Sequence, residues 1–441
     1  MTTTESRQGE TALEAPERDS TPPRRRLLAA GGRRRPLALL LALAFFFGPA
    51  GAYLAGQRPE EIENRRLKPM PSLSEGWRFF PDFAAWTVDH LPLRRQAVHA
   101  DGTLSERVFH EPPVYGGSSG DVGAGPVGGG LASAGQPPGS TPGGRAPVAY
   151  PPVVQGKDGW LYFGGDVGNA CTPLRSVDDT LSRLRRLATA VQASGRRFVL
   201  VIPPDKTTMV PQYLPATFLG KGCMTARKSE FWSKLRADPP PGYVDLRGAI
   251  EAAQRQDGGP AYRMTDTHWG DRGSVQYARL VAQALQPNLW ATSRVYPTGV
   301  ATRRGDLGVF IGRPHVDSYR SYDMVRPGVQ IADVPPLPLG RPVTVTATTT
   351  GAPLFGPHTL LLGDSFTNSS LRFLPKLFAN LTLWHNEAAS ARPALAAQVC
   401  VDSDVVVYEV VERTIASGRG AVIDDKALTA IEAALKAHPR R

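Results

Sequence analysis

The sequence predicts an α/β domain, a parallel sheet flanked by helices, carried behind an apolar N-terminal span. Three observations predict it. From about residue 150 onward, short apolar runs alternate with amphipathic helical stretches. One such run, Thr359-Leu360-Leu361-Leu362, leads into Gly363-Asp364-Ser365-Phe366, which places a hydroxyl where a strand gives way to a helix. Residues 36–55 form 20 positions without a charge, enough to cross a hydrocarbon core ~30 Å thick.

Residues 1–35 are polar and contain Arg and Pro, the composition of a disordered tail. Arg24-Arg25-Arg26 and Arg33-Arg34-Arg35 stand just before the apolar span. That arrangement predicts a single-pass signal anchor at 36–55 with a cytoplasmic N-terminus. A cleaved signal peptide is the alternative, since Ala50-Gly51-Ala52 offers small residues. Either way the rest of the chain is expected outside the cytoplasm. Residues 56–115 carry helical patterns, a juxtamembrane region. Its aromatic stripe from Trp77 to Trp86 is expected to pack onto the catalytic domain. Residues 116–149 are rich in Gly, Ser and Pro and read as a flexible linker.

The α/β domain is expected over 150–441. Ser176 has the chemistry of a helix N-cap, and Leu181, Leu184, Leu187 and Val191 follow at helical spacing. Gly195 ends that helix, and 198–202 is a buried strand. A short strand follows at 243–246, then a helix from about 270 to 285. Further strands are predicted at 360–362, 381–384 and 405–408, and a terminal helix at 425–437. After Ser365, the apolar positions Phe366, Leu371 and Leu374 predict one more helix. Residues 295–355 break the rhythm. The Thr-Val alternation at 344–347 marks them as a partly β insertion, a lid or substrate wall.

The net charge of +11 is high enough to raise nucleic acid as a partner. The basic clusters, however, sit ahead of an apolar span. No zinc-ligand spacing or aromatic RNA-binding motif accompanies them, so no nucleic-acid partner is expected. The cysteines are Cys171, Cys223 and Cys400. Cys171 and Cys223 are read as loop residues and as the disulfide pair, and Cys400, beside Val399 and Val401, as buried and inert. There is no C-x-x-C, which argues against thiol redox chemistry and a thiolate zinc site. No metal and no cofactor are expected.

Ser365 has possible partners about a hundred residues upstream, in Asp266-Thr267-His268-Trp269. A serine hydroxyl needs a base to take its proton and a carboxylate to hold that base in the right tautomer. Asp266 and His268, two apart, share a side if the segment is extended. Each residue also has a plain structural reading: Ser365 as an N-cap, Asp364 as a turn residue, His268 as a capping or packing histidine.

Taken together, T-D-T-H-W (265–269) and G-D-S-F (363–366) resemble the signature of the alginate O-acetyltransferase family, the AlgJ/AlgX type, whose domain is a permuted relative of the SGNH hydrolases. Gly156-Lys-Asp-Gly-Trp-Leu-Tyr-Phe163 resembles the family's entry motif. Val201-Ile-Pro-Pro-Asp-Lys206 with Tyr213-Leu-Pro215 resembles its P-x-K…Y-x-x-L-P segment. Glu63-Asn-Arg-Arg-Leu67…Pro71 and Tyr408-Glu409…Glu412-Arg413 match an early and a late element.

The resemblance implies an SGNH-like fold and an extracytoplasmic O-acetyltransferase with Ser365 as nucleophile, His268 as base and Asp266 as orienting carboxylate. The acceptor would be a polysaccharide. A multi-pass membrane-bound O-acyltransferase would supply acetyl groups. Lys206 and Asn368 are candidate oxyanion donors or sugar contacts, or else a structural salt bridge and a helix-surface amide. Trp269 is either a sugar-stacking ring or a core residue. Two other functions stay open: an esterase or deacetylase with the same triad, and a non-catalytic polysaccharide-binding subunit.

Overall fold

The computed structural model describes residues 150–440 and, ahead of them, isolated residues between Phe47 and Trp86. The tail, most of the apolar span, the juxtamembrane region and the linker lie outside the described residues. No described helix is long and apolar enough to cross a membrane. In the aromatic stripe, only the rings Trp77, Phe79, Phe80, Phe83 and Trp86 are described, and the expected packing onto the α/β domain rests mostly on residues outside them.

The described chain begins with an antiparallel pair, β1 (Val153–Gln155) and β2 (Leu161–Phe163), followed by α1 (Gly165–Cys171) and α2 (Val177–Ala193). Ser176 caps α2 by accepting the Asp179 N–H at 3.1 Å, and Gly195, at φ +79°, turns the chain out of it. Then come β3 (Arg197–Val201), α3 (Lys206–Met209), α4 (Lys221–Ala237), β4 (Tyr243–Val244), α5 (Leu246–Asp257) and α6 (Asp271–Leu285). A long hairpin follows, β5 (Arg294–Arg304) and β6 (Val316–Val325), with α7 (Leu307–Phe310) at its turn. After it run β7 (Val329–Ile331), β8 (Val343–Thr349), β9 (Thr359–Gly363), α8 (Ser365–Asn368) and β10 (Asn380–His385). The chain closes with α9 (Asn386–Ser390), α10 (Pro393–Asp402), β11 (Val405–Glu409), α11 (Glu412–Ala416) and α12 (Asp425–Ala437).

The main sheet has the order β4-β3-β11-β9-β10-β8-β7. Its first five strands are parallel, but β8 runs antiparallel to β10, and β7 antiparallel to β8. The sheet is therefore mixed rather than all parallel. The reason lies in the 295–355 segment. Its Thr-Val alternation suits a strand with one face buried, and β8 turns Val345 and Ala347 inward. Thr344 and Thr382 hydroxyls meet at 2.7 Å across the β8–β10 edge.

Strand residues alternate between two cores. Val199, Val201, Leu361, Leu383 and Val407 face the α6 side, where Trp269 and Phe366 are also buried. Phe198, Leu200, Leu360, Leu362, Trp384 and Val406 face α2, α4 and α12. Each fully buried Leu in these layers contributes about 1.5–3 kcal/mol of transfer free energy. The helix expected after Ser365 is only α8, four residues long, and a 3₁₀ turn follows at Leu374–Leu377.

Cys171 and Cys223 are disulfide-bonded, and Cys400 is a free, buried thiol pushed up to about 12 by burial. The bonded pair lies at the end of α1 and in the first turn of α4, not in loops. Their sequence separation of 52 means the bond restricts a long unfolded loop. Replacing both by Ser is expected to cost about 2–4 kcal/mol in urea unfolding. Non-reducing peptide mapping should find Cys171 joined to Cys223 and Cys400 alkylated only after denaturation. Cys400 in a disulfide would refute the pairing.

Candidate active site

Sequence-distant motifs converge on the loop that carries Asp266 and His268. Trp160 stacks on Tyr213 at 4.6 Å between ring centroids. Lys206, at the start of α3, is buried and lies 5.5 Å from the centroids of both Trp160 and Tyr162. Its ammonium donates to the carbonyls of Arg263 at 2.9 Å, Met264 at 3.0 Å and Asp266 at 2.7 Å. An ammonium has three N–H donors, so all are committed. Burial pushes this lysine down to about 8, against the pull of Asp266, Asp306, Asp317 and Asp166. Lys206 is thus a holder of the 263–266 loop rather than a donor aimed at substrate.

The 295–355 segment grips the same loop from the other side. Asp317 on β6 accepts the Thr265 N–H and hydroxyl, both at 2.9 Å. Asp306, just ahead of α7, accepts the Thr267 N–H at 2.7 Å. Gly305 passes so close to Thr265 that a Cβ there would meet the Thr265 carbonyl oxygen at 2.3 Å. Asp271 accepts from the Ser321 hydroxyl at 2.7 Å and the Tyr322 N–H at 2.9 Å.

Held this way, Asp266 and His268 meet. Asp266 Oδ1 accepts the His268 backbone N–H at 2.8 Å and lies 2.9 Å from His268 Nδ1. Arg263 is 3.0 Å from Asp266 Oδ2. Burial works to raise the Asp266 pKa, but the hydrogen bond and charge of His268, with Arg263, hold it at about 2. In the neutral imidazole this carboxylate would hold the proton on Nδ1 and leave the lone pair on Nε2. Nε2 is buried and makes no hydrogen bond with the described residues.

Ser365 opens α8 directly after β9. Asp364 caps the turn by accepting the Phe366 N–H at 2.9 Å. Gly363 is required here: a Cβ would sit 2.4 Å from Thr367 Oγ1. The Phe366 ring lies 5.0 Å from the His268 ring and edge-on to Trp269 at 4.9 Å. Ser274 on α6 donates to the Ser369 carbonyl at 3.0 Å. These contacts set the turn bearing Ser365 against the turn bearing His268. Ser365 Oγ and His268 Nε2 are not hydrogen-bonded to each other. Among the described residues the Ser365 N–H meets no acceptor.

The other expected contacts resolve differently. Trp269 is 1% exposed and packs against Phe366 and Tyr277, so it is a core ring that no sugar can stack on. Asn368 Oδ1 accepts the Leu337 N–H at 2.6 Å, tying the segment before β8 to the serine turn. Sequence reasoning passed over Arg263, Asp306 and Asp317. Arg263 stands three residues before Asp266, a spacing that was legible. The two aspartates lie in the insertion, with no motif to mark them.

Asp306 Oδ2 is also 3.5 Å from His268 Nδ1. Asp266, His268 and Asp306 bring potential ligand atoms within 4.8 Å of one another. Asp266 uses its two oxygens on His268 and Arg263, Asp306 Oδ1 accepts from Thr267, and two cations, Arg263 and Lys206, stand beside the group. The hydrogen bonds present are those of an imidazole held by carboxylates. A groove of about 670 Å³ beside α2 and α12, lined by Ser182, Arg186, Glu432 and Lys436, contains none of these residues.

The family model described as an SGNH hydrolase-like domain, acetyltransferase AlgX, matches residues 153–404, more than half of the chain. The chain belongs to that family. Two relatives named probable alginate O-acetylase AlgJ are similar to it. The one from Pseudomonas syringae pv. tomato is 25% identical over 172 residues, and the one from Pseudomonas aeruginosa 28% over 173. Each match takes in 36% of this chain and spans 41% of the relative's length. The O-acetyltransferase domain of Pseudomonas putida AlgJ is a structural neighbour, with 18% identity, a TM-score of 0.43, and coverage of 64% of this chain and 99% of that one. The stretches 156–163, 201–206 and 265–269, all inside the matched range, meet around Lys206.

Changing Lys206 to Met leaves the Arg263 and Asp266 carbonyls without a donor among the described residues, while Met264 keeps the Leu161 N–H at 3.0 Å. A loss of about 2–4 kcal/mol in urea unfolding is expected. Unchanged stability would mean that the ammonium is not what holds the loop.

Proposed function

We propose that this chain is a serine-dependent O-acetyltransferase acting on hydroxyls of a cell-surface or secreted polysaccharide. The observation that carries the reading is the His268 imidazole: Nδ1 is held by Asp266 at 2.9 Å, and Nε2 is unpartnered beside the turn that presents Ser365. Membership of the AlgX family and the names of the two AlgJ relatives support acetyl transfer to a glycan.

In this reading His268 Nε2 takes the Ser365 Oγ proton as Oγ attacks the donor's acetyl carbonyl. The Ser365 N–H, with no acceptor of its own, faces the developing oxyanion. Loss of the donor's leaving group, which recovers the proton, gives an acetyl-serine. A sugar hydroxyl then attacks it, His268 takes the hydroxyl proton, and Ser365 regains its hydrogen. Catalytic hydrogen bonds absent from an unliganded site commonly form only in the substrate complex. Asp266 stabilises the imidazolium that arises in both halves.

The enzyme's place is proposed from the sequence: a single-pass anchor at 36–55, with the catalytic domain outside the cytoplasm. The Cys171–Cys223 disulfide supports an oxidising compartment. A membrane-bound O-acyltransferase would deliver acetyl groups to it. A reporter fused after Arg441 should be active only outside the cytoplasm, and activity inside would overturn this placement.

The triad is tested with an activated acetyl ester, with and without oligosaccharide acceptors. Ser365→Ala and His268→Ala should abolish acetyl transfer and labelling by a serine-directed reagent. Asp266→Asn should lower turnover on the order of 10³–10⁴-fold with the fold intact. Mass spectra should show acetyl on sugar. Release of acetate alone across a broad acceptor panel would make the protein an esterase, and folded mutants with wild-type turnover would leave a binding subunit.

A further inference from the structure

Glu409, the last residue of β11, is completely buried beneath the serine turn. Its Oε2 accepts the Asp364 N–H at 2.8 Å and the Thr367 hydroxyl at 2.6 Å. Asp364 and Thr367 bracket Ser365 and Phe366, so one carboxyl oxygen holds both ends of the turn. Asp364 grips back across the β9–β11 junction. Its Oδ1 accepts the Phe366 N–H, and its Oδ2 accepts the Val411 N–H at 2.8 Å. The Thr367 hydroxyl also lies 3.3 Å from the Tyr277 hydroxyl on α6, the helix that begins three residues after His268. Asn386 at the start of α9 fixes the Glu409 backbone through its carbonyl at 2.7 Å.

We propose that Glu409 is a positioning residue for Ser365, setting the height of the turn through the Asp364 N–H and the Thr367 hydroxyl. The proposal rests on reading Ser365 as the nucleophile. The groups facing Glu409 are the Asp364 carboxylate, the Thr367 and Tyr277 hydroxyls and, from its own strand, Tyr408; His385 at the end of β10 stands near Asp364. None of the hydrogen bonds to its carboxyl comes from a cation. Burial first, and then the Asp364 charge, push the Glu409 carboxyl well above its ordinary value. In a neutral acid Oε2 stays the acceptor and Oε1, which makes no hydrogen bond with the described residues, carries the proton, so two charged carboxylates do not stand side by side.

The sign follows for stability. The folded protein keeps a proton that the unfolded chain has lost, so this group's contribution falls as pH rises above the ordinary glutamate range. Gln is the uncharged isostere of that acid: its carbonyl can accept and its amide can donate.

The test uses the full chain with Glu409→Gln, Glu409→Ala and Thr367→Val. It reads kcat and KM for an activated acetyl ester, the labelling rate of Ser365 and melting temperature against pH. Glu409→Gln should keep most of the wild-type kcat and labelling rate and flatten the decline of melting temperature with rising pH. Glu409→Ala should lose about 10²-fold in kcat and labelling, the scale of a small misplacement, with KM little changed. If Glu409→Ala does not fold, Thr367→Val must show the same selective loss. A folded Glu409→Ala, or a folded Thr367→Val standing in for it, with wild-type kcat and labelling would overturn the proposal, as would a Glu409→Gln as impaired as Glu409→Ala. Failure of the nucleophile reading is distinguishable, because Ser365→Ala would then retain turnover whatever the Glu409 variants do.

Discussion

Lys206 carries an ammonium into the interior, and the three carbonyls of the 263–266 loop make that burial tolerable. The converse matters more for the site. Those carbonyls belong to a loop without regular structure, and such a loop keeps one shape only where its polar groups find partners. The ammonium supplies three of them from one point at the start of α3. Without it, the spacing of Asp266 and His268 would be a property of the chain but not of the site.

The serine turn depends on the same kind of constraint. Apolar contacts of Phe366 with His268 and Trp269 bring the two turns together, but apolar packing is not directional. Hydrogen bonds accepted by the Asp364 and Glu409 carboxyls supply direction. Nearby, a second buried polar cluster ties the ends of β3 and β11: Lys228 meets Asp205 at 2.6 Å, and Glu412 accepts the Asp205 N–H at 2.7 Å. The carboxyl ends of parallel strands are where open α/β sheets place their ligands. Here those ends are fastened to one another.

The segment 295–355 adds to the fold in two ways. β7 and β8 extend the sheet, covering the outer edge of β10, while the β5–β6 hairpin and α7 reach the histidine loop through Asp317 and Asp306. The segment was expected as a wall or lid. What it does within the described residues is fix the loop that holds His268.

The sequence by itself determined the elements whose cause is local. Apolar runs gave β3, β9, β10 and β11, helical periodicity gave α2, α6 and α12, and the i, i+2 spacing of Asp266 and His268 made their contact legible. The Cys171–Cys223 pairing was also legible, although both residues sit on helix ends. Tertiary structure decided whatever depends on contacts between distant residues. Antiparallel addition of β8 depends on the free edge of β10, which no local pattern reveals. The helix after Ser365 stops at Asn368, although its apolar spacing would let it continue. Lys206 and Trp269 have the chemistry of substrate contacts, yet burial commits them to the loop and the core. Asp306, Asp317 and Glu409 reach the site across 39 to 52 residues of chain, so only the folded arrangement shows which backbone N–H each one holds.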